Sequence, residues 1–268
     1  MNRHYFSALA LPLLLLVNAP GKAAPLQASQ FADFTQYVLA LSWQTGFCQS
    51  QYDKGRTPAA ECLTQKEEKD PRAYLTVHGL WPSLPDSIAQ HGVDDKRWRR
   101  FGCSVRPVPN MPEVKASNKC HAPSTGISPT IAAQLGQVMP GAGGSSCLER
   151  YEYAKHGVCF GFNPNDYFAT MIRLNTEVKA EALGDFLQKH YGKTVSRQDF
   201  NQAVAASWGE NAVKAIKLSC QGNPAYLTEM QIALYADKIN LPLQADSFVA
   251  QPHPGNCGKT FILDAVGF

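Results

Sequence analysis

The stretch "LTVHGLWP", Leu75 to Pro82, sets a histidine, a glycine and a tryptophan at positions 78, 79 and 81, and "YEYAKHGVC", Tyr151 to Cys159, brings Glu152, Lys155 and His156 close together before a second glycine. Imidazole has an ordinary pKa that lets it both take and give a proton near neutrality, so two histidines in such company can act as an acid and base pair. A lysine beside them balances the charge of an anionic substrate, and an indole offers a flat face on which a ring can stack.

These side chains need elements to hold them. "GGSSCLERYEYAKHG" reads as a helix from Ser146 to His156, with Ser146 and Glu149 as a capping box and Gly157 as a left-handed C-terminal cap. Glu152, Lys155 and His156 stand three and four residues apart, so one side of that helix carries all three. The helix C-terminus is partly negative and Glu152 adds a full charge, so His156 is expected to be biased toward its protonated form. His78 lies near the end of a strand-like run. Plainer readings exist for the same residues: a surface ion-pair cluster at a helix end, a strand histidine satisfying a core hydrogen bond, and Trp81 and Pro82 as packing at a strand exit.

The chain that carries them has 268 residues, 44% of them hydrophobic and 18% charged, which fits a globular protein and excludes a disordered or fibrous one. A net charge of +3 permits an anionic substrate without demanding one, and there are no dense Lys/Arg blocks of the kind that grip nucleic acid tightly. At the N-terminus Arg3, the apolar run Phe6 to Val17 and the small residues Gly21 and Ala23 read as a signal peptide over 1–23, leaving a mature domain at 24–268. The run is shorter than the roughly 20 residues of a membrane span, and no later segment is apolar enough, so no membrane contact is expected after its removal. Cys48, Cys62, Cys103, Cys120, Cys147, Cys159, Cys220 and Cys257 all follow it; an even number in an exported chain favours disulfides, and no Cys-x-x-Cys pair points to zinc. The lack of any Asn-x-Ser/Thr acceptor favours a bacterial periplasm over a eukaryotic secretory route.

Along the chain the pattern is α+β. Tyr37 to Trp43, Ala73 to Leu80, Val213 to Cys220, Ala225 to Tyr235 and Lys259 to Ala265 are rich in β-branched and aromatic residues and read as strands, the last three in one antiparallel sheet. Helical patterns fall at about Asp94 to Phe101, Ser128 to Val138, Ser146 to His156, Pro164 to Glu181 and Ser196 to Trp208. Gly102 to Ser128, rich in proline and holding two cysteines, reads as a stapled loop. No repeat or linker divides the chain, so the expectation is one disulfide-stapled domain with a central antiparallel sheet and flanking helices.

Among the remaining histidines, His4 lies in the signal, while His91, His121 and His190 sit in polar surroundings; His253, in "QPHPGNCG", stays open. "LTVHGLWP" and "LERYEYAKHGVC" together resemble the two signature blocks of the ribonuclease T2 family, and "YVLALSWQTGFC" resembles that family's first strand and cysteine. The resemblance runs from about Tyr37 to Phe268. It implies an endoribonuclease acting on single-stranded RNA, without metal or other cofactor and without an obligate protein partner. By the same resemblance His156 is the base toward the ribose 2′-OH and His78 the proton donor to the leaving 5′-oxygen. Glu152 and Lys155 stabilise the charged phosphorane, and Trp81 stacks a base. It pairs Cys103 with Cys159 and Cys220 with Cys257, then Cys48 with Cys62 and Cys120 with Cys147.

Two departures stand out. Tyr151 stands where many members carry a histidine that helps hold phosphate, and Ser83 stands where some members carry an acid that reads the base. The chemistry agrees with the resemblance, since an RNA phosphodiester carries its own nucleophile and needs one proton acceptor, one donor and a nearby cation. Glycine beside each histidine would let backbone and phosphate approach. The competing classes are a metal-dependent phosphoesterase, for which no His-Glu-x-x-His or equivalent cluster exists, and a non-catalytic exported binding protein.

Overall fold

The computed structural model describes residues 24–106, 113–144 and 146–267. The expected signal segment, and the middle of the proline-rich loop, lie outside the described residues.

Six strands form one open sheet: β1 (Gln36–Trp43), β2 (Leu75–Pro82), β3 (Thr194–Ser196), β4 (Ile216–Gln221), β5 (Tyr226–Tyr235) and β6 (Thr260–Ile262). The order is β2-β1-β5-β6-β3, with β4 also paired to β5. Around it lie α1 (Gln44–Asp53), α2 (Ala60–Leu63), α3 (Asp86–Ala89), α4 (Asp95–Phe101), α5 (Pro129–Val138), α6 (Leu148–His156), α7 (Pro164–Ala180), α8 (Ala182–Lys189), α9 (Arg197–Trp208) and α10 (Glu210–Ala215). The architecture is α+β, and no described helix is long and apolar enough to cross a membrane.

Several helices start where the sequence supplies a cap. Asp94, Ser128, Asn163 and Ser196 each accept a backbone N–H at the head of α4, α5, α7 and α9. Other elements depart from the sequence reading. Val213 to Ala215 close helix α10 instead of opening β4, and β6 runs parallel to β5 at Tyr226 and Ile262 while pairing antiparallel with β3. The long connection after β5 makes this possible, because a parallel neighbour requires the chain to cross back.

The sheet divides the molecule's tasks between its faces. Tyr37, Leu39, Leu41 and Trp43 alternate along β1 into the core, where Leu39 meets Leu80 and Ile232, and Leu41 meets Val77 and Met230. Helix α7 covers this face with Tyr167, Met171 and Leu174, all fully buried. It is fixed by two polar contacts to β2: the Tyr167 hydroxyl donates to the Leu80 carbonyl at 2.7 Å and the Asn175 amide to the Leu75 carbonyl at 2.9 Å. The opposite face carries Ala40 and Ser42 on β1, small residues that leave room for Glu229 and Gln231 opposite them on β5.

His78 sits at a break in this ladder. Ala40 pairs with Gly79 and Leu41 with Val77, so His78 is an extra residue with no partner on β1. Such a bulge re-aims side chains. Because of it, Val77 and Leu80 both enter the core although three residues apart, and Trp81 lies on the same side of the sheet as Gly79.

The cysteines pair as Cys48–Cys62, Cys103–Cys159, Cys120–Cys147 and Cys220–Cys257. Replacing Tyr167 with Phe removes the buried bond to Leu80 and nothing else of comparable size, so denaturant melts are expected to show a loss of about 1–3 kcal/mol. An unchanged midpoint would mean that packing alone holds α7 to β2.

Candidate active site

Helix α6 begins differently from its sequence grammar. The helix is entered at Cys147 with no side-chain cap; the Ser146 hydroxyl donates to the Glu61 carboxylate, and the Glu149 carboxylate accepts the Gly143 N–H at 2.7 Å. Cys147 enters the helix with φ 47° and is tied to Cys120. At the far end Gly157 has φ −117°, not a left-handed value. It is required for space: a Cβ there would stand 2.6 Å from the Tyr153 ring.

This helix drives Glu152 inward, where its side chain is 1% exposed. Its Oε2 accepts the Trp81 indole N–H at 2.7 Å, and His156 Nε2 lies 3.9 Å from the same oxygen; its Oε1 lies 3.6 Å from His78 Nε2. One carboxylate thus stands between two imidazoles, with Trp81 edge-on to His78 and tilted against His156 at 5.4 Å from each ring. Gly79 makes room for this: a Cβ on it would fall 2.2 Å from Glu152 Oε2 and 2.4 Å from Trp81 Nε1. The glycine therefore serves the Glu152–Trp81 bond, where the sequence reading gave it to an approaching phosphate.

On the other side of His78, Nδ1 lies 2.7 Å from Glu229 Oε2, and the Gln231 amide donates to Glu229 Oε1 at 2.6 Å. Sequence reasoning missed Glu229. Its signal was the alternation in "TEMQIAL", which puts Glu229 and Gln231 on the face opposite Met230 and Ile232.

The two histidines are poised oppositely. Burial works against a charge on His78, but the Glu229 hydrogen bond and the charges of Glu152 and Glu229 outweigh it and raise its pKa. His156 is held well below the ordinary imidazole value by burial first, then by the positive charges of Lys155 and His78. The expected bias of His156 toward its protonated form is thus reversed, because desolvation outweighs the helix end and Glu152. His156 Nδ1 is buried with no hydrogen-bond partner among the described residues. Burial also pushes the Glu152 carboxyl up, against the His78 charge and the indole bond, and pushes the Lys155 ammonium down.

Lys155 makes no ion pair among the described residues; its ammonium lies 5.6 Å from the centre of the Tyr151 ring. Both line a cavity of about 310 Å³ with Arg100 and Lys115. The Tyr151 phenol is kept protonated by burial and by the nearby charges of Glu152 and Glu113, which raise its pKa, so it is a donor there. Ser83 is occupied elsewhere, its hydroxyl oxygen accepting the Thr35 and Gln36 N–H groups at 3.3 Å. The other histidines stay apart: His190 bonds the Phe186 carbonyl, His121 meets Asn118, and His91 and His253 are exposed.

A model of the Ribonuclease T2 family matches residues 34–249. The chain belongs to the ribonuclease T2 family. It is 59% identical over 268 residues to Ribonuclease I of Escherichia coli (strain K12), covering 100% of both chains. To Ribonuclease S-F11 of Nicotiana alata it is 24% identical over 233 residues, 85% of this chain and 96% of that one. Among solved structures, the Nicotiana alata SF11-RNase superposes with TM-score 0.51 at 17% identity, covering 87% of this chain and 100% of its own. Ribonuclease MC1 from the seeds of bitter gourd does so with TM-score 0.50 at 18% identity, covering 85% and 100%. By its family, this chain is an endoribonuclease.

The Gly79→Ala variant is expected to break the Glu152–Trp81 bond and lower turnover at least about tenfold while the far-UV circular dichroism stays native, an orientation effect of the kind that small misplacements of catalytic groups produce. Wild-type turnover in that variant would show that the bond is dispensable.

Proposed function

We propose that the protein is an exported endoribonuclease that cleaves single-stranded RNA by metal-independent transesterification, with His156 as base and His78 as acid. The observation that carries this reading is the geometry of two imidazoles whose Nε2 atoms face one buried carboxylate, one ring bonded to Glu229 and the other buried without a partner for Nδ1, surroundings that favour opposite protonation states. A base must start neutral and an acid must start protonated.

In the proposed step His156 Nε2 takes the proton of the ribose 2′-OH as the 2′-oxygen bonds to phosphorus. The bond from phosphorus to the 5′-oxygen breaks, and His78 Nε2 gives its proton to that oxygen. The products are a 2′,3′-cyclic phosphate and a free 5′-hydroxyl. Lys155 supplies positive charge to the phosphoryl oxygens and the Tyr151 phenol a hydrogen bond, in place of the charged histidine that other members carry there. Trp81 stacks a base while its N–H holds Glu152, whose charge favours the imidazolium at each histidine in turn. The four disulfides support an oxidising compartment, and with the signal-like residues 1–23 they support the bacterial periplasm as the destination.

RNA but not DNA is expected to be cut in the presence of EDTA, with cyclic phosphate ends resolved by mass. Loss of activity on chelation would favour a metal-dependent phosphoesterase, and absence of turnover at micromolar protein a binding protein. His78→Ala and His156→Ala are each expected to lower turnover at least about a hundredfold, the usual worth of a positioned proton carrier, with His91→Ala near wild type.

The pH profile should be bell-shaped and wide. Activity rises as His156 loses its proton, below the ordinary imidazole value of about 6.5, and falls as His78 loses its own, above it. A profile narrower than two unperturbed imidazoles would give would overturn the assignment of states.

Base preference should be weak, because stacking is worth about 1–3 kcal/mol for any base and the Ser83 oxygen is already taken by backbone. One base favoured more than about a thousandfold, roughly 4 kcal/mol, across dinucleoside phosphates would reveal an edge-reading group.

A further inference from the structure

We propose that Glu229, itself held by Gln231, is the positioning residue of the acid: it fixes His78 with Nδ1–H bonded inward, so that Nε2 alone presents the transferable proton to the cleft. The inference rests on the acid role given to His78 above.

The geometry is long-range and specific. Glu229 lies 151 residues from His78 in sequence, on β5, and reaches it across β1 because the residue opposite Glu229 there is the small Ser42. Its two oxygens have separate occupants: Oε2 takes His78 Nδ1–H at 2.7 Å and Oε1 takes the Gln231 amide at 2.6 Å. A carboxylate so bonded accepts only, which leaves His78 a single choice of donor at Nδ1. The proton on Nε2, facing Glu152 at 3.6 Å, is therefore the one that leaves. After transfer, the ring is neutral with Nδ1–H still bonded to Glu229, so it neither rotates nor changes tautomer before the next turnover.

The bulge at His78 makes this anchor necessary. The residue has no partner on β1 and its side chain is 34% exposed, so the ladder and the core contribute little to fixing the ring. His156 shows the contrast: it is 8% exposed, and packing holds it without any partner for Nδ1.

Other charged groups act on the same ring. Glu152 and His156 face it from α6, with Lys155 on that helix; Lys119 acts from the turn at Ala116–His121; and Lys217 acts on Glu229 from β4. Of these only Glu229 touches Nδ1. Removing its charge while keeping its shape isolates the anchor.

The test is Glu229→Gln, with Gln231→Ala as a milder second variant that leaves the carboxylate in place. Each is assayed on a dinucleoside phosphate, whose leaving 5′-oxygen needs a proton, and on a uridine 3′-(p-nitrophenyl phosphate), whose leaving group does not. Glu229→Gln is expected to slow the first substrate at least about tenfold, the lower end of what loss of an outer hydrogen-bond partner costs a catalytic group, and to slow the second far less. The alkaline limb of its pH profile should move to lower pH, since His78 then loses its proton sooner, while KM changes little. Gln231→Ala should shift the same way by a smaller factor. In a His78→Ala background Glu229→Gln should add no further loss on either substrate.

Equal slowing of both substrates by Glu229→Gln with a native melting temperature, or an unmoved alkaline limb, would overturn the proposal. If His78→Ala itself slows both substrates equally, the fault lies in the acid role of His78 instead.

Discussion

A carboxylate with almost no contact with water lies at the centre of this site, and the rest of the site is arranged to keep it there. Glu152 is 1% exposed, and burying a charge costs several kcal/mol unless partners replace the lost hydration. Here the replacements are one indole N–H and two imidazoles, all supplied from two elements. Each has its own prerequisite. The indole reaches Glu152 only because position 79 has no side chain, and His78 reaches it from a residue the sheet ladder leaves out. His156 reaches it because α6 presents positions four apart on one side. The Cys103–Cys159 bond joins the segment after β2 to the turn after α6, so the two supports of the carboxylate are covalently tied.

From that centre the difference between the histidines follows. Both face Glu152, so a shared carboxylate cannot by itself hold one protonated and the other neutral. The decision comes from what each ring meets on its other side. His78 meets a second carboxylate at 2.7 Å, whose hydrogen bond and charge, with the charge of Glu152, outweigh burial and favour its charged form. His156 meets packing, an unpartnered Nδ1 and the positive charge of Lys155, and all of these favour its neutral form. The charge of His78 also lowers the His156 pKa, so a proton on His78 discourages one on His156.

The sequence made one part of this legible and hid another. His78, Trp81, Glu152, Lys155 and His156 lie in two short blocks whose residue types already spell proton transfer beside an anion. The main strands and the capped helices α4, α5, α7 and α9 carry period and cap in their own residues. What escaped depends on contacts distant in the chain. Glu229 is an unremarkable polar residue in a strand until β5 pairs with β1 beside β2. Gly46 lies in α1, a stretch to which the sequence reading assigned no element, and it presses so closely on the Leu227 carbonyl that a Cβ would stand 1.9 Å away. The state of His156 failed for the same reason in electrostatic form. Local rules count the helix end and Glu152, whereas burial is set by the whole fold.

The sheet resolves a conflict between stability and chemistry that a single face could not. Its core face needs continuous apolar contact, which Leu39, Leu41, Val77, Leu80, Met230 and Ile232 provide across three strands. Its other face needs charges held near one another with little water, an arrangement that is destabilising by itself. Pleating separates the two by a single residue step along β5, where Met230 stands between Glu229 and Gln231. A slip of one residue in the β1–β5 register would exchange the faces, so the same hydrophobic set that fixes the fold also fixes which carboxylate meets His78. The geometry around His78 is thereby specified by core packing, although the core residues on that face lie on the far side of the sheet from Glu229 and Gln231.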